Sequence, residues 1–403
     1  MPCFSAVTTK LKAVVSIAAL ALAVVNAQPL HANLDYHRYL QVKDEMREAA
    51  AKYLAGQYGQ TAILKGIWEH NATQEERDGD LQPTEEETQR FFMAHQLVQK
   101  LQAAHPDATF STESPFTLLT SDEFQEYVGL ASARPKGAVE GVVIVGARAP
   151  SARRTRLLQL QHAGTVHATD LFDSNVSTAA VDQVVLGGDN GNVNWNSKGC
   201  VTPARHQGQC GSCWAFASVA ALESAICIKN GVSKDKMPLL SEQMVTSCDT
   251  EMLGCNGGAT DYAINWIKGQ GGVCTLESYP YTGAGKDKCK KDCKKVDIKI
   301  KRAVAVSKGE DNLAEAVRKQ PVMVGVAAGG DTWKQYKSGV LSSCPGEIDH
   351  SVLVYGFTDD AWLVKNSWGA QWGDEGMLKI KRTKGNGIGM CQIASEGVYP
   401  ELE

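Results

Sequence analysis

The sequence lacks three features that would point to other classes of protein. No apolar run reaches the roughly 20 residues that a membrane-spanning helix needs, and the longest candidate lies at the N-terminus. No basic excess is present, because the formal net charge is −4. That balance argues against nucleic acid as the main partner, since phosphate binding needs positive charge. Finally, no cysteine occurs between residues 28 and 199, so any disulfides belong to the C-terminal part.

The N-terminal apolar run is typical of a signal peptide covering residues 1–27. Lys10 and Lys12 precede the run from Ala13 to Val25, and small residues for cleavage follow at Asn26 and Ala27. The pattern predicts removal of this segment. We therefore expect a secreted or lysosomal protein with no membrane and no nucleic-acid partner.

Cysteines and glycosylation sequons divide the chain in the same way. Eleven cysteines lie between Cys200 and Cys391. An oxidising compartment favours disulfides there, and the odd number leaves at least one free thiol. Sequons occur at Asn71 and Asn175, both before residue 190, and are predicted glycosylation sites.

Residues 28–130 have a mainly helical and polar pattern. From Thr84 to Ala104, apolar residues recur at gaps of three and four, which indicates an amphipathic helix. Thr84 and Glu87 have the spacing of a capping box. Residues 139–146 predict a strand, and residues 131–190 are interpreted as a linker and cleavage region. The predicted inner face of the helix comprises Phe91, Ala94, Leu97, Val98 and Leu101.

Residues 189–403 predict a compact domain with helices first and strands after. The segment from Cys213 to Lys229 is apolar nearly all round, which indicates a buried helix. Further helices are predicted at residues 240–246 and 259–268. Alternating or apolar runs predict strands at residues 321–328, 350–357, 361–366 and 376–382. This order favours an α+β fold with two lobes of different class.

The residues that carry chemistry surround one cysteine. Cys213 opens the buried helix, with Ser212 as a plausible N-cap, and a helix N-terminus favours a thiolate. A thiolate nucleophile needs an acid partner. His350 begins one predicted strand and Asn366 ends the next, so a hairpin with its turn at residues 358–361 brings them together. Asn366 can then fix the tautomer of His350.

Other interpretations of the same residues stay open at this point. His350 can be a structural histidine, and Asn366 can be a turn residue. Cys210 and Cys213 can form a redox pair or half of a zinc site. The corresponding alternative functions are a thiol oxidoreductase that uses Cys210 and Cys213, or an inactive peptide-binding homologue.

The motifs together resemble the papain family of cysteine proteases, which includes many cathepsins. The resemblance covers residues 190–403. The separations from Cys213 to His350 and to Asn366 are 137 and 153 residues, close to the family spacing. The motifs are QGQCGSCWAF, LSEQ, GCNGG, SYPY, DHSV and VKNSWG, which occur in that order between residues 207 and 369.

The resemblance implies a papain-like fold with a helical lobe and a β-barrel-like lobe, preceded by a mainly helical propeptide. It implies that Cys213 is the nucleophile, held as a thiolate, and that His350 is its ion-pair partner and general acid–base. Asn366 orients His350, and Trp368 shields that contact. The Gln207 side chain and the Cys213 backbone N–H form the oxyanion hole, where such donors contribute about 3 kcal/mol.

The resemblance also implies substrate-binding residues. Gly257 and Gly258 present backbone groups to an extended peptide. Glu396 lies at the floor of the main specificity pocket, where it predicts acceptance of both Phe or Leu and Arg side chains. The remaining residues assigned to the substrate-binding surface are Gly325, Ala259, Asp349 and Ser351.

Three disulfides follow from the resemblance: Cys210–Cys255, Cys248–Cys289 and Cys344–Cys391. Four further cysteines allow three pairings. Among these, we prefer Cys200–Cys293 with Cys227–Cys274. A paired Cys210 makes the redox interpretation of Cys213 unfavourable.

The N-terminal part resembles the family's inhibitory propeptide only weakly. Its helix pattern keeps Glu86 and Arg90, and a second motif keeps Phe116 but has Leu118 where the family has an aspartate implicated in acid-dependent processing. We expect three segments: a signal peptide (1–27), an inhibitory propeptide and linker (28–188) and a peptidase domain (189–403). Expected partners are protein or peptide substrates, the chain's own propeptide and cystatin-like inhibitors. We expect a monomer with no cofactor and no metal.

Overall fold

The computed structural model describes residues 31–69, 82–129, 143–145, 191–285 and 289–403. The predicted signal peptide, both sequons and the expected start of the mature chain near Asp189 lie outside these residues. The helices are Tyr36–Ala55 (α1), Gln57–Leu64 (α2), Glu85–Ala104 (α3), Ser121–Gly129 (α4), Cys213–Asn230 (α5), Glu242–Cys248 (α6), Thr260–Gln270 (α7), Glu310–Lys319 (α8) and Asp331–Lys334 (α9). No described helix is both long and apolar enough to cross a membrane.

Most strands follow residue 270 and join one mixed sheet. They are Ala108–Phe110 (β1), Val143–Val145 (β2), Val193–Asn194 (β3), Gly272–Cys274 (β4), Lys295–Asp297 (β5), Ile300–Val306 (β6), Val322–Val326 (β7), Tyr336–Leu341 (β8), His350–Phe357 (β9), Ala361–Lys365 (β10), Met377–Lys381 (β11) and Gly397–Leu402 (β12). The sheet order is β1-β8-β11-β10-β9-β7-β12-β6-β2, β3 pairs with β9, and β4 pairs with β5 separately.

The two lobes meet where α5 packs against the sheet. Helix α5 is buried along most of its length, from Cys213 to Ala225 without interruption. It packs against α6, α7 and strands β7, β9 and β12. A left-handed Gly231 ends the helix at φ 61°, a conformation that glycine adopts without strain. This arrangement places the first residue of α5 at the junction of the lobes.

The N-terminal region, residues 31–129, forms its own helical layer. Thr84 and Glu87 make both hydrogen bonds of the predicted capping box at the start of α3. Arg90 pairs with Glu86 one turn earlier and with Glu123 near the start of α4. Because Arg90 also donates to the Leu118 carbonyl at 3.0 Å, it joins α3 to the segment that leads into α4.

An aromatic cluster attaches the N-terminal region to the sheet lobe. Phe116 and Phe124 contact the Trp368 ring edge-on, with centroids 5.2 and 5.6 Å away. Tyr127 completes the cluster at 6.4 Å. Both phenylalanines are fully buried, and such edge-to-face pairs contribute about 0.5–1.5 kcal/mol each beyond area burial. The N-terminal region therefore covers Trp368.

Five disulfides occur in the domain after residue 190. Three are the bridges that the resemblance implies: Cys210–Cys255, Cys248–Cys289 and Cys344–Cys391. The preferred pairing of the other four cysteines is wrong. Cys200 pairs with Cys227 and Cys274 pairs with Cys293, at Cα separations of 5.4 and 5.7 Å. Each bridge closes a local loop, because the loop before α5 folds back on the helix and β4 lies beside β5.

We predict that Phe116→Ala weakens the attachment of the N-terminal region. Removing a buried phenylalanine costs about 3–5 kcal/mol, and here much of that burial is against Trp368. Urea titration that follows tryptophan fluorescence is expected to show the N-terminal region unfolding at lower denaturant. Leu40→Ala is the control, because Leu40 is 44% exposed. Equal midpoints for the two variants would contradict this assignment.

Candidate active site

Cys213 lies at the first position of α5, fully buried. Ser212 occupies the N-cap position but makes no capping hydrogen bond with its side chain. Its hydroxyl instead contacts the Tyr281 hydroxyl at 2.7 Å, and Tyr281 donates to the Gln207 carbonyl at 2.7 Å. Tyr281, the second tyrosine of the SYPY motif, therefore connects the start of α5 to Gln207, a role that the sequence did not reveal.

His350 and Asn366 meet as the hairpin predicts. Strands β9 and β10 are antiparallel, with Phe357 opposite Trp362. His350 Nε2 lies 2.7 Å from Asn366 Oδ1. That Asn366 atom also accepts the Ser367 backbone N–H at 2.8 Å, which identifies it as the oxygen. His350 therefore donates from Nε2, and its Nδ1 is left as the acceptor.

The start of β9 brings His350 and its free Nδ1 to the same part of the site as Cys213 Sγ. His350 Nδ1 is buried and has no hydrogen-bond partner among the described residues. The backbone N–H of Ser351, the next residue, donates to Cys213 Sγ at 3.3 Å. The start of β9 therefore lies directly against the start of α5. Sequence reasoning had placed Ser351 only in the pocket wall.

Trp368 covers the His350–Asn366 contact, as the resemblance implies. Its ring stacks on the His350 ring with centroids 4.8 Å apart and an interplanar angle of 30°. The other contacts of Trp368 include the aromatic cluster of the N-terminal region described above. Water is therefore kept away from the histidine on this side, which strengthens its hydrogen bond to Asn366.

Burial opposes the charged forms of Cys213 and His350 in this conformation. Burial raises the pKa of Cys213 to about 12, against the lowering effect of hydrogen bonds from Ser351 and Trp214. Burial lowers the pKa of His350 to about 4, although its bond to Asn366 raises it. Both groups are therefore neutral at neutral pH in this conformation. The physical reason is desolvation, which disfavours whichever form carries charge.

Gln207 lies beside the cysteine with its side-chain amide held at both ends. Its Nε2 donates to the Cys210 carbonyl at 3.0 Å. Its Oε1 accepts the Ser367 hydroxyl at 2.6 Å. Since Nε2 carries two hydrogens, one remains to be offered to a ligand. The Cys210 carbonyl can only accept, so it fixes Nε2 as the donor end of the amide. Ser367 holds the other end in place, a role missed although the residue lies in the VKNSWG motif.

A pocket of about 400 Å³ opens beside His350, at the junction of the lobes. Glu396 lines it, and an added Cβ on Gly325 would lie 2.5 Å from Glu396 Oε1. The absent side chain at residue 325 therefore gives the carboxylate its space. Lys308 also lines the pocket, which the sequence did not indicate. The other expected wall residues found there are Gly258, Ala259, Asp349 and Ser351.

Two expected substrate contacts have a structural role as well. An added Cβ on Gly258 would lie 2.5 Å from the Trp214 ring, so glycine is required there by the core as much as by a ligand. Gly257 precedes it at φ 109°. The Asp349 carboxylate accepts the backbone N–H groups of Ala328 and Gly329 at 2.7 and 2.9 Å. Asp349 thereby fixes the chain just before His350.

The thiol oxidoreductase alternative fails on the disulfide pattern. Cys210 is bonded to Cys255, and Cys213 is the free cysteine of the described chain. A redox CxxC pair needs both thiols, so this arrangement contradicts it. The site instead holds one buried thiol, one oriented imidazole and one oriented amide.

Comparisons with known proteins agree with this site. The sequence model of the family described as "Papain family cysteine protease" matches residues 190–401. Vignain of Ricinus communis is 42% identical over 224 residues, which are 52% of this chain and 59% of vignain. The chain thus spans about 60% of the length of the curated relatives it matches.

Solved structures extend the similarity to the N-terminal region. The digestive procathepsin L2 proteinase of Tenebrio molitor larval midgut is 25% identical with a TM-score of 0.64, and covers 87% of this chain and 100% of its own. The proform of the ragweed pollen allergen Amb a 11 is 26% identical with a TM-score of 0.62, covering 87% and 95%. The α+β, papain-like fold with a helical region before it is thereby confirmed.

We predict that Cys213 resists alkylation in the full-length protein. Burial raises the pKa of Cys213 well above its ordinary value, so little thiolate is present at pH 7, and the sulfur is buried. Iodoacetamide labelling followed by peptide mapping is expected to show Cys213 reacting at least about 100-fold faster once the chain before residue 190 is removed. Cys213→Ala is the control and should show no labelled cysteine after residue 190 without reduction. Fast labelling of intact protein would contradict the assigned burial.

Proposed function

Because this chain belongs to the papain family of cysteine proteases, we propose that it hydrolyses peptide bonds as a cysteine endopeptidase. The observation that carries the proposal is the tautomer of His350. Asn366 Oδ1 accepts the Nε2–H of His350, and His350 Nδ1 has no partner among the described residues. The next residue, Ser351, contacts the Cys213 sulfur through its backbone N–H. An imidazole held this way can accept the thiol proton.

The proposed reaction moves one proton and forms one covalent intermediate. The Cys213 thiol gives its proton to His350 Nδ1, and the thiolate attacks the carbonyl carbon of the scissile bond. The resulting oxyanion accepts hydrogen bonds from the Gln207 side chain and the Cys213 backbone N–H. His350 then protonates the leaving amine as the C–N bond breaks. Water deprotonated by His350 hydrolyses the thioester and regenerates the thiol.

The chain is proposed to be made as an inactive precursor. Residues 1–27 would direct it to secretion or to the lysosome, residues 28–188 would inhibit the enzyme, and residues 189–403 would be the peptidase. Support comes from the aromatic cluster on Trp368 and from the neutral, buried Cys213 and His350. Proposed partners are peptide or protein substrates, the chain's own N-terminal region and cystatin-like inhibitors, and the active species is proposed to be a monomer.

The central experiment compares the precursor with its Cys213→Ala variant. After incubation at about pH 4–5, the parent is expected to shorten towards residue 189 and to cleave a quenched peptide substrate. The variant is expected to do neither by itself. A folded, shortened parent that binds peptide but does not cleave it would support the alternative of an inactive peptide-binding homologue.

We propose that the pocket at Glu396 accepts the substrate side chain one residue before the residue at the cleaved bond. The walls provided by Ala259 and Gly325 suit Phe or Leu, and an ionised Glu396 suits Arg. Lys308 lines the same space and repels a cationic substrate. The pocket therefore contains one group that favours Arg and one that opposes it.

Glu396→Gln is predicted to lower kcat/KM for an Arg substrate by about 10- to 100-fold, because a partly buried charge pair is lost. The Phe substrate should change by less than about threefold. Lys308→Gln is the matched variant in the same pocket and should raise kcat/KM for Arg by a few-fold. Equal effects of Glu396→Gln on both substrates would reject Glu396 as the specificity group.

Ser367→Ala is predicted to lower kcat by about tenfold with little change in KM. Without the Ser367 hydroxyl, only the bond to the Cys210 carbonyl holds the Gln207 amide, so its donor is less well aimed at the oxyanion, where complete loss of a donor costs about 10²–10³. Steady-state kinetics on the processed enzyme measures this. Ser367→Thr keeps a hydroxyl and should recover much of kcat. A change confined to KM would assign Ser367 to substrate binding instead.

A further inference from the structure

His206 is a half-buried imidazole that the proposed mechanism does not use. It precedes Gln207 and lies in the loop of residues 206–209, here called the oxyanion loop. Its Nδ1 accepts the Gly208 backbone N–H at 2.9 Å. An added Cβ on Gly369 would lie 2.8 Å from its ring. The ring is therefore enclosed between its own loop and the chain that follows Trp368.

The hydrogen bond to Gly208 fixes the proton of His206. An Nδ1 that accepts an N–H carries no hydrogen, so the neutral ring has its hydrogen on Nε2. That Nε2 is buried and finds no partner in the described ranges. A second proton can enter only at Nδ1, where it would face the Gly208 N–H. Protonation therefore breaks the bond that shapes this turn.

The same turn receives the N-terminal region. The Tyr127 hydroxyl donates to the Gly208 carbonyl at 2.7 Å. The Lys65 carbonyl oxygen would lie 3.8 Å from a Cβ on Gly208, and the Gln209 side chain lies 3.9 Å from the Cβ position of Gly66. Two separate segments of the N-terminal region thus rest on the oxyanion loop.

The charges around the ring also oppose protonation. Burial lowers the pKa of His206 to about 4, and the Lys65 cation lowers it further. Arg205, the preceding residue, points to Glu223 and Glu242 and is neutralised by them. From the other side the ring meets Gly369, and the His206 backbone pairs with that of Trp368; neither residue carries a charge. Tyr127, which donates to Gly208, is neutral because burial raises its pKa.

We propose that His206 is an acid-operated contact between the oxyanion loop and the N-terminal region, an inference that rests on the proposed precursor. When neutral, His206 shapes the Gly208 turn that binds Tyr127 and the segment at Lys65. When protonated, it breaks that turn and repels Lys65, and the N-terminal region is released. This contact responds to acid although Leu118 stands where the family has an aspartate implicated in acid-dependent processing.

The sign of the pH dependence follows from linkage. The closed form binds the proton less well than the open form, where the ring is exposed to water and has its ordinary pKa near 6.5. The preference for the closed form is therefore fully present above pH 6.5 and decreases as the pH falls towards 4. One proton per molecule gives a change close to tenfold per pH unit in the opening equilibrium.

The test uses the full chain carrying Cys213→Ala, so that opening is measured without proteolysis. Amide hydrogen exchange of residues 121–129, corrected for intrinsic rates, is followed between pH 4 and 7.5. The parent is expected to open more easily by close to tenfold per pH unit below pH 6.5. His206→Asn keeps an acceptor for the Gly208 N–H but cannot take a proton. Adding it should lower the slope of the opening equilibrium against pH by the equivalent of one proton.

Three further variants make the result specific. His37→Asn changes an exposed histidine of α1 and should leave the profile as in the parent. Lys65→Gln alters an exposed side chain, so the fold should tolerate it, and should make the profile shallower. Tyr127→Phe should ease opening at every pH and keep the slope. Unchanged slopes in both His206→Asn and Lys65→Gln would overturn the proposal. Failure of the parent enzyme to cleave peptides would instead count against the proposed function, since opening is measured separately.

Discussion

The stack of Trp368 on His350 is the contact on which the rest of the site depends. It keeps water from the bond between His350 and Asn366, and that bond decides which nitrogen of the histidine is free. The same tryptophan is the surface on which the N-terminal aromatic cluster packs. One residue therefore links the orientation of the imidazole to the attachment of the region that covers it.

This link explains why the site is neutral as it stands. A thiolate and an imidazolium stabilise each other, but both lose hydration when buried, and burial sets the direction of both pKa values here. The start of a helix supplies only a partial charge, worth about 0.3–1 kcal/mol, which cannot offset removal of water from a sulfur anion. In the proposed precursor, inhibition needs no distortion of the site. Covering it is sufficient, and exposing it restores the conditions under which the ion pair forms.

Much of this could be predicted from sequence because the signals are local. The hairpin that joins His350 to Asn366 follows from a short turn between two apolar strands. The capping box of α3 follows from the three-residue spacing of Thr84 and Glu87. The segment from Cys213 to Lys229, apolar nearly all round, already indicated a buried helix that begins at the cysteine.

The rest depends on contacts between distant segments. The sequence allowed three pairings for Cys200, Cys227, Cys274 and Cys293, and only the path of the loops before α5 and around β4 and β5 selects one. Tyr127, 86 residues before Cys213 in the sequence, lies close enough to interact electrostatically with the thiol, and no local pattern indicates this proximity. Lys308 reaches the Glu396 pocket because Gly309 N–H bonds the Ala394 carbonyl at 3.0 Å, which no local pattern announces.

The pocket and the oxyanion loop show how the same fold can be adjusted by single charges. At residue 325 the absence of a side chain makes room for the Glu396 carboxylate. Lys308 lines the same pocket and carries the opposite charge. At residue 206 the histidine leaves Gln207 undisturbed, because its Nδ1 accepts the Gly208 backbone N–H. In each case the backbone and the hydrogen bonds around Cys213 stay as they are. Charge is added at the edge of the site, where it can tune which side chains enter and when the cover leaves, while the neutral packing around Trp368 keeps the reacting groups in register.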